Sequence, residues 1–119
     1  MSVVDVVGSY YEAWIAGKGD FTAVPLAPDF AFTGPVASFD SAAGFRDMAA
    51  QAGPMVTRFS IRRQFVDGDT VCSIIDWEMA LPVAPMTSAE ILRVRDGLIV
   101  RGALIYDAQD LRAAMAAGA

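Results

Sequence analysis

The sequence predicts an α+β fold in which N-terminal helices cover a strongly curved antiparallel sheet, forming a cone that encloses a pocket. Three observations carry this prediction. Apolar residues recur at helical spacing within the first 16 residues. From residue 56 onward the pattern changes to long alternating strands. Two tight-turn sequences, Asp67-Gly68-Asp69 and Asp96-Gly97, separate those strands. We expect residues 1–119 to form a single domain.

Composition and charge argue against several classes of function. The net charge is −5 and the basic residues form no long run, which disfavours a nucleic-acid partner. No apolar run approaches the roughly 20 residues of a membrane span. The N-terminal segment lacks the basic region of a secretory signal. The chain has no histidine and a single cysteine, Cys72, so we expect no metal site, no internal disulfide and a cytoplasmic location.

The first predicted helix spans residues 2–16. Ser2 can cap this helix, and Asp5 stands where the second member of a capping box belongs. Tyr10 and Tyr11 lie about 100° apart around a helix, so their side chains cannot point the same way. One buried stripe of the helix consists of Val3, Val7, Tyr10 and Trp14. An adjacent stripe consists of Val4, Tyr11 and Ile15.

The remaining elements follow from strand alternation, helical spacing and turn residues. Phe30 and Phe32 alternate within a short strand, and Phe45 and Met48 begin the apolar face of a second helix. These elements are a strand at 29–33, a helix at 41–52 capped by Asp40 or Ser41, strands at 56–66, 70–83, 86–95 and 98–106, and a short C-terminal helix capped by Asp107.

The predicted strand at 70–83 is the centre of the sheet and carries two carboxylates among apolar residues. Alternation places Cys72, Ile74, Asp76 and Glu78 on one face, and Val71, Ser73, Ile75, Trp77 and Met79 on the other. Asp76 and Glu78 either line a pocket wall or face water at the edge of the sheet, because a buried carboxylate needs a partner or a proton. The opposite, apolar face is a candidate dimer interface.

The order of elements and several segments resemble the nuclear transport factor 2-like superfamily. The resemblance covers nearly the whole chain and rests on YYEAWIAGKGDFTAV, PDFAFTGP and ILRVRDGLIVRGALIYDAQDL. The superfamily includes ketosteroid isomerases, limonene-epoxide hydrolases and SnoaL-like polyketide cyclases. The resemblance implies a cystatin-like α+β roll and a homodimer that forms through the outer sheet face.

The ketosteroid isomerases suggest roles for two residues of this chain. Tyr11 falls near the tyrosine of their oxyanion hole, and Glu90 falls at their protonated aspartate. That family is a known case of a carboxylic acid held neutral by an apolar site. The position of its general base holds Gly34 here, so we expect no efficient isomerisation of 3-ketosteroids.

The limonene-epoxide hydrolases suggest a role for Asp76, which falls on one of their active-site aspartates. The following Ala80-Leu81-Pro82 is also similar. The position of the family's bridging arginine holds Ile74, and the second aspartate falls near Leu104. The SnoaL-like cyclases resemble this chain in length and in general residue pattern. No catalytic residue of theirs can be assigned to a position in this sequence.

These observations predict a small-molecule pocket protein. As an enzyme, it would apply carboxylate acid–base chemistry to an apolar oxygenated substrate, as a hydrolase, isomerase or cyclase, without a metal or organic cofactor. The alternatives are a non-catalytic ligand-binding module and a dimeric interaction module of the same fold. The predicted catalytic residues are Asp76, Glu90 and Tyr11. The predicted substrate-binding residues are Trp14, Tyr106, Leu104 and Phe32.

Overall fold

The computed structural model describes residues 2–118, which form three helices and a curved six-stranded sheet. The helices are α1 (Val3–Ile15), α2 (Ala42–Ala52) and α3 (Gln109–Ala116). The strands are β1 (Leu26–Thr33), β2 (Ser38–Phe39), β3 (Val56–Asp67), β4 (Thr70–Met79), β5 (Met86–Arg95) and β6 (Leu98–Ile105). A 3-10 turn, Gly53–Met55, joins α2 to β3. The predicted α+β class is confirmed.

The sheet has the strand order β2-β1-β6-β5-β4-β3. All neighbouring strands run antiparallel except β1 and β6, which pair in parallel, with Leu26 opposite Ile99 and Thr33 opposite Ala103. The predicted antiparallel sheet therefore contains one parallel pair, which the sequence pattern does not indicate. Parallel neighbours need a long crossover, and here the crossover is most of the chain.

The helix ends follow the predicted capping residues, with one difference. The Ser2 side chain accepts from the Asp5 amide at 3.1 Å while Asp5 accepts from the Ser2 amide at 3.3 Å, which completes the capping box. Ser41 caps α2 through its hydroxyl. The N-cap of α3 is Ala108, and Asp107 lies one residue earlier, where its carboxylate accepts a backbone amide at 3.0 Å.

A β-bulge in β3 changes which side chains face the core. Ile61 lies opposite Ile75 of β4, but Arg63 lies opposite the next residue, Ile74, so Arg62 is an extra residue in the strand. Simple alternation places Phe59 and Phe65 on the same face of the strand. The bulge instead leaves Phe59 packed against the core and Phe65 half exposed on the outer face.

The core lies between the helices and the concave face of the sheet, and aromatic rings dominate it. Phe45 of α2 is at its centre, with its ring 5.1 to 5.9 Å from four neighbouring rings. Those neighbours are Tyr10, Phe21, Phe30 and Phe32. This cluster fixes α1 and α2 over the sheet and thereby sets the walls of a cavity. Within residues 2–118 no helix combines the length and the apolar character needed to cross a membrane.

Candidate functional site

The inward face of β4 is its apolar face. Val71, Ser73 and Ile75 are buried there, whereas Asp76 and Glu78 lie on the outer face. The expectation that the two carboxylates form a pocket wall is therefore wrong, and so is the expectation that the Trp77 face forms a dimer interface. The physical reason is burial, because the side of a strand with more apolar area packs against the core.

A cavity of about 420 Å³ lies between the helices and the inward face of the sheet. Its lining is almost entirely apolar and combines aromatic rings with flexible methionines. The aromatic members are Tyr10, Trp14, Phe32, Phe39, Phe59, Trp77 and Tyr106, and the methionines are Met48, Met55, Met79 and Met115. This volume falls within the range typical of small-molecule sites.

Glu90 is the one carboxylate among the described residues that line this cavity. It lies in the middle of β5, its side chain is 3 % exposed, and its Oε2 accepts a hydrogen bond from the Tyr10 hydroxyl at 2.9 Å. Burial raises the pKa of Glu90 to about 7, against a smaller lowering by the tyrosine hydroxyls. Near neutral pH the carboxyl can therefore donate or accept a proton, as an acid–base group requires.

The two neighbouring tyrosines of α1 have different environments. Tyr10 lines the cavity and donates to Glu90, and burial, together with the nearby carboxylate charge, raises its pKa well above the ordinary value. Tyr11 is also buried, and its hydroxyl has no hydrogen-bond partner among the described residues. Burial raises the pKa of Tyr11 as well. The hydrogen bond to the Glu90 carboxyl is thus donated by Tyr10 and not by the predicted Tyr11.

A second polar group lies on the inward face near the cavity. The indole Nε1 of Trp77 donates to the Ser88 hydroxyl at 2.6 Å, and Ser88 is buried two residues before Glu90 on β5. The ring of Tyr106 packs edge-on against Trp77 with 5.2 Å between centroids. Burial raises the pKa of Tyr106, so its hydroxyl remains a neutral donor. These contacts fix the orientation of two aromatic walls.

Asp76 lies outside the cavity, and the prediction that placed it inside is wrong. Its carboxylate accepts two hydrogen bonds from the Arg62 guanidinium, at 2.9 and 2.6 Å, and one from the Thr87 hydroxyl at 2.8 Å. These hydrogen bonds, the one from Arg62 first, lower the pKa of Asp76. This partner comes from the neighbouring strand β3, which a search of β4 alone cannot find.

The structure places the other predicted residues as follows. The four predicted substrate-binding residues, Trp14, Tyr106, Leu104 and Phe32, all line the cavity. The pairing of Tyr10 with Glu90 was not predicted from the sequence. The signal that points to Tyr10 is the buried helix stripe that it shares with Trp14, a residue of the cavity wall. Across residues 2–118, no three histidine, cysteine or acidic side chains are grouped where they could bind a metal. Of the lining side chains that the structure describes, Glu90 is the one that can present a carboxylate to a ligand.

Comparisons with known proteins agree with this architecture. Residues 7–102 match the family described as the SnoaL-like domain. No curated protein matches the sequence. A protein from Kribbella flavida DSM 17836 has 25 % identity and a TM-score of 0.81, with 96 % of this chain and 93 % of that one covered.

Two further solved structures share the fold and have names that refer to an activity. An LEH-like epoxide hydrolase from M. tuberculosis has 15 % identity and a TM-score of 0.74, over 98 % of this chain and 90 % of that one. A putative polyketide cyclase from Sinorhizobium meliloti has 19 % identity and a TM-score of 0.75, over 88 % of this chain and all of that one. At these identities the likeness concerns the fold alone.

Proposed function

Because this chain belongs to the SnoaL-like domain family, we propose that it binds a small, apolar, oxygenated molecule in its cavity and transforms it by acid–base chemistry at Glu90. The observation that carries the proposal is one buried carboxyl, hydrogen-bonded to Tyr10, in a largely apolar cavity. The reaction class is hydrolysis, isomerisation or cyclisation. The names of two solved relatives, an epoxide hydrolase and a putative polyketide cyclase, support hydrolysis and cyclisation.

The proposed roles follow from the environment of each group. Protonated Glu90 donates to an oxygen of the substrate, and ionised Glu90 removes a proton, while Tyr10 holds the carboxyl in place. Exclusion of water by the aromatic walls strengthens each of these interactions. Gly34 also lines the cavity, and it offers no side chain to act as a second base. We therefore continue to propose that 3-ketosteroids are not efficiently isomerised.

Replacing Glu90 with glutamine tests the proposed reaction. We expect Glu90→Gln to lower turnover by about 10²–10⁴-fold, which is the usual contribution of a positioned acid–base group to the rate. The measurement is product formation from a panel of epoxides, enones and linear polyketones, followed by mass spectrometry. Glu78→Gln is the matched control, because Glu78 lies on the outer face, where Arg58 approaches it at 3.7 Å. Full turnover by Glu90→Gln would refute the assignment.

The alternative is a binding module that performs no reaction. It predicts that panel compounds change the fluorescence of Trp14 and Trp77, both of which line the cavity, without forming product. The same experiment therefore separates the two functions. In either case we propose a cytoplasmic location, based on the lone Cys72.

We also propose that two copies pair through the outer face of the sheet. An apolar strip crosses this face, where Cys72 lies opposite Ile91 and Ala89 lies opposite Ile105. Ile91 is 38 % exposed and Ile105 is 59 % exposed, and apolar surface of this kind marks an interface. We expect Ile91→Glu to shift the protein toward monomer in sedimentation velocity. A wild-type monomer at high micromolar concentration would contradict the proposal.

A further inference from the structure

We propose that the cavity also binds organic ammonium ions, which would lie between its aromatic walls and the carboxylate of Glu90. This rests on the proposed function, because it assigns a second ligand class to the same cavity. An oxygen of the neutral ligand proposed above accepts a hydrogen bond from the protonated carboxyl, whereas an ammonium ion would pair with the ionised carboxylate. The protonation state of the carboxyl would thus determine which of the two ligand classes binds.

The aromatic lining is suited to a cation. Trp77 and Tyr106 stand at 83° to each other with their centroids 5.2 Å apart, so together they form a corner. Trp14 and Phe59 lie nearly parallel, at 17°, in another wall. The face of an aromatic ring attracts a cation that lies within about 6 Å of its centroid, and tryptophan is the strongest of the rings. Both tryptophans of the chain line this cavity.

The charges point to the same ligand class. No lysine or arginine among residues 2–118 lines the cavity, so no protein cation neutralises Glu90 when it ionises. The hydrogen bond that Glu90 accepts comes from the neutral hydroxyl of Tyr10, which carries no opposite charge. A bound ammonium ion would supply the missing opposite charge. The net charge of −5 also favours the approach of cations over that of anions.

Glu90 is the group in this cavity whose charge changes near neutral pH. The titratable side chains that face it are Tyr10 and Tyr11 from α1, with Tyr106 further along the sheet, and burial raises the pKa of all three. The inward faces of β4 and β6 contribute no charged side chain. Affinity for a permanent cation should therefore increase with pH. Below the pKa of Glu90 the increase is up to about tenfold per pH unit, and above that pKa the affinity levels off.

A matched pair of probes tests the inference. Phenyltrimethylammonium carries a permanent charge, and tert-butylbenzene is its uncharged isostere, so any pH dependence comes from the protein. Binding to the full chain is measured by calorimetry and by tryptophan fluorescence from pH 5.5 to 8.5. We expect the cation to bind more tightly as the pH rises and the isostere to show no such gain. Glu90→Gln should weaken cation binding at pH 8 by about tenfold or more, while Glu78→Gln leaves it unchanged.

The possible outcomes separate this inference from the proposed function. If the isostere binds and the cation binds no more tightly at pH 8.5 than at pH 5.5, the inference is overturned while the apolar cavity site stands. If the cation binds, loses affinity in Glu90→Gln and the isostere fails to bind, the inference stands and the apolar-ligand proposal fails. If neither binds, both fail. Cation binding that is equally tight in Glu90→Gln, with unchanged far-ultraviolet circular dichroism, also overturns the inference.

Discussion

Phe45→Ala is expected to destabilise the protein by about 3–5 kcal/mol, the usual cost of deleting a fully buried phenylalanine ring. Phe45 is 0 % exposed and packs against rings from α1, β1 and the loop after α1. Its removal takes away apolar contacts and leaves a hole, because the surrounding rings are held by separate elements. The measurement is urea unfolding, read as a lower midpoint at an unchanged slope.

Phe65→Ala is the matched control for this prediction. Both changes delete the same ring, but Phe65 is 50 % exposed on the outer face, where Arg63 stacks on it at 5.1 Å. We expect the control to change the free energy of unfolding by less than about 1 kcal/mol, as is usual for surface positions. Equal losses in the two variants would show that the aromatic cluster around Phe45 is not the main source of stability.

The second large effect is the pH dependence of stability that Glu90 creates. Its pKa rises from an ordinary value of 4.5 to about 7 on folding because of burial, so the folded state holds its proton more tightly than the unfolded state. The stabilising contribution is complete below pH 4.5 and is lost as the pH rises through about 7. The shift corresponds to a loss of at most about 3 kcal/mol between these limits.

Glu90→Gln should remove this pH dependence. Glutamine cannot ionise, so we expect the variant to unfold at a higher urea concentration than wild type at pH 8 and to lose this advantage at pH 4.5. Denaturation at a series of pH values provides the measurement. Glu78→Gln should keep the wild-type slope. A variant that remains less stable than wild type at pH 8 would mean that the Tyr10 hydrogen bond to Glu90 outweighs the cost of the buried charge.

Much of the fold could be predicted because it depends on local patterns. The capping box at Ser2, the helix stripe ending at Trp14 and the two hairpin turns are short-range features, and each appears where it was expected. The parallel pairing of β1 with β6 could not be predicted in this way. It joins segments that are distant in sequence, and alternation within a strand carries no information about its neighbours.

The candidate site was predictable where resemblance and strand phase agreed. Glu90 and Leu104 are directly opposite each other on β5 and β6, and both line the cavity. Asp76 was misplaced for a physical reason. Its partner Arg62 belongs to the neighbouring strand β3, and the ion pair makes the outer face a favourable place for the carboxylate. The alternation of β4 alone does not show which of its two faces packs against the core or which side chain of β3 lies beside Asp76.

The hydrogen bond between Tyr10 and Glu90 joins residues 80 positions apart in the chain. Sequence-distant contacts form late in folding, because a long loop must close before they contribute. The hairpins from β3 to β6 connect neighbours and can form early, whereas α1 reaches its carboxyl partner only after β5 has been synthesised. During translation, the helix that supplies one wall of the cavity therefore leaves the ribosome well before the strand whose carboxyl it contacts, and it can dock only after that strand has emerged.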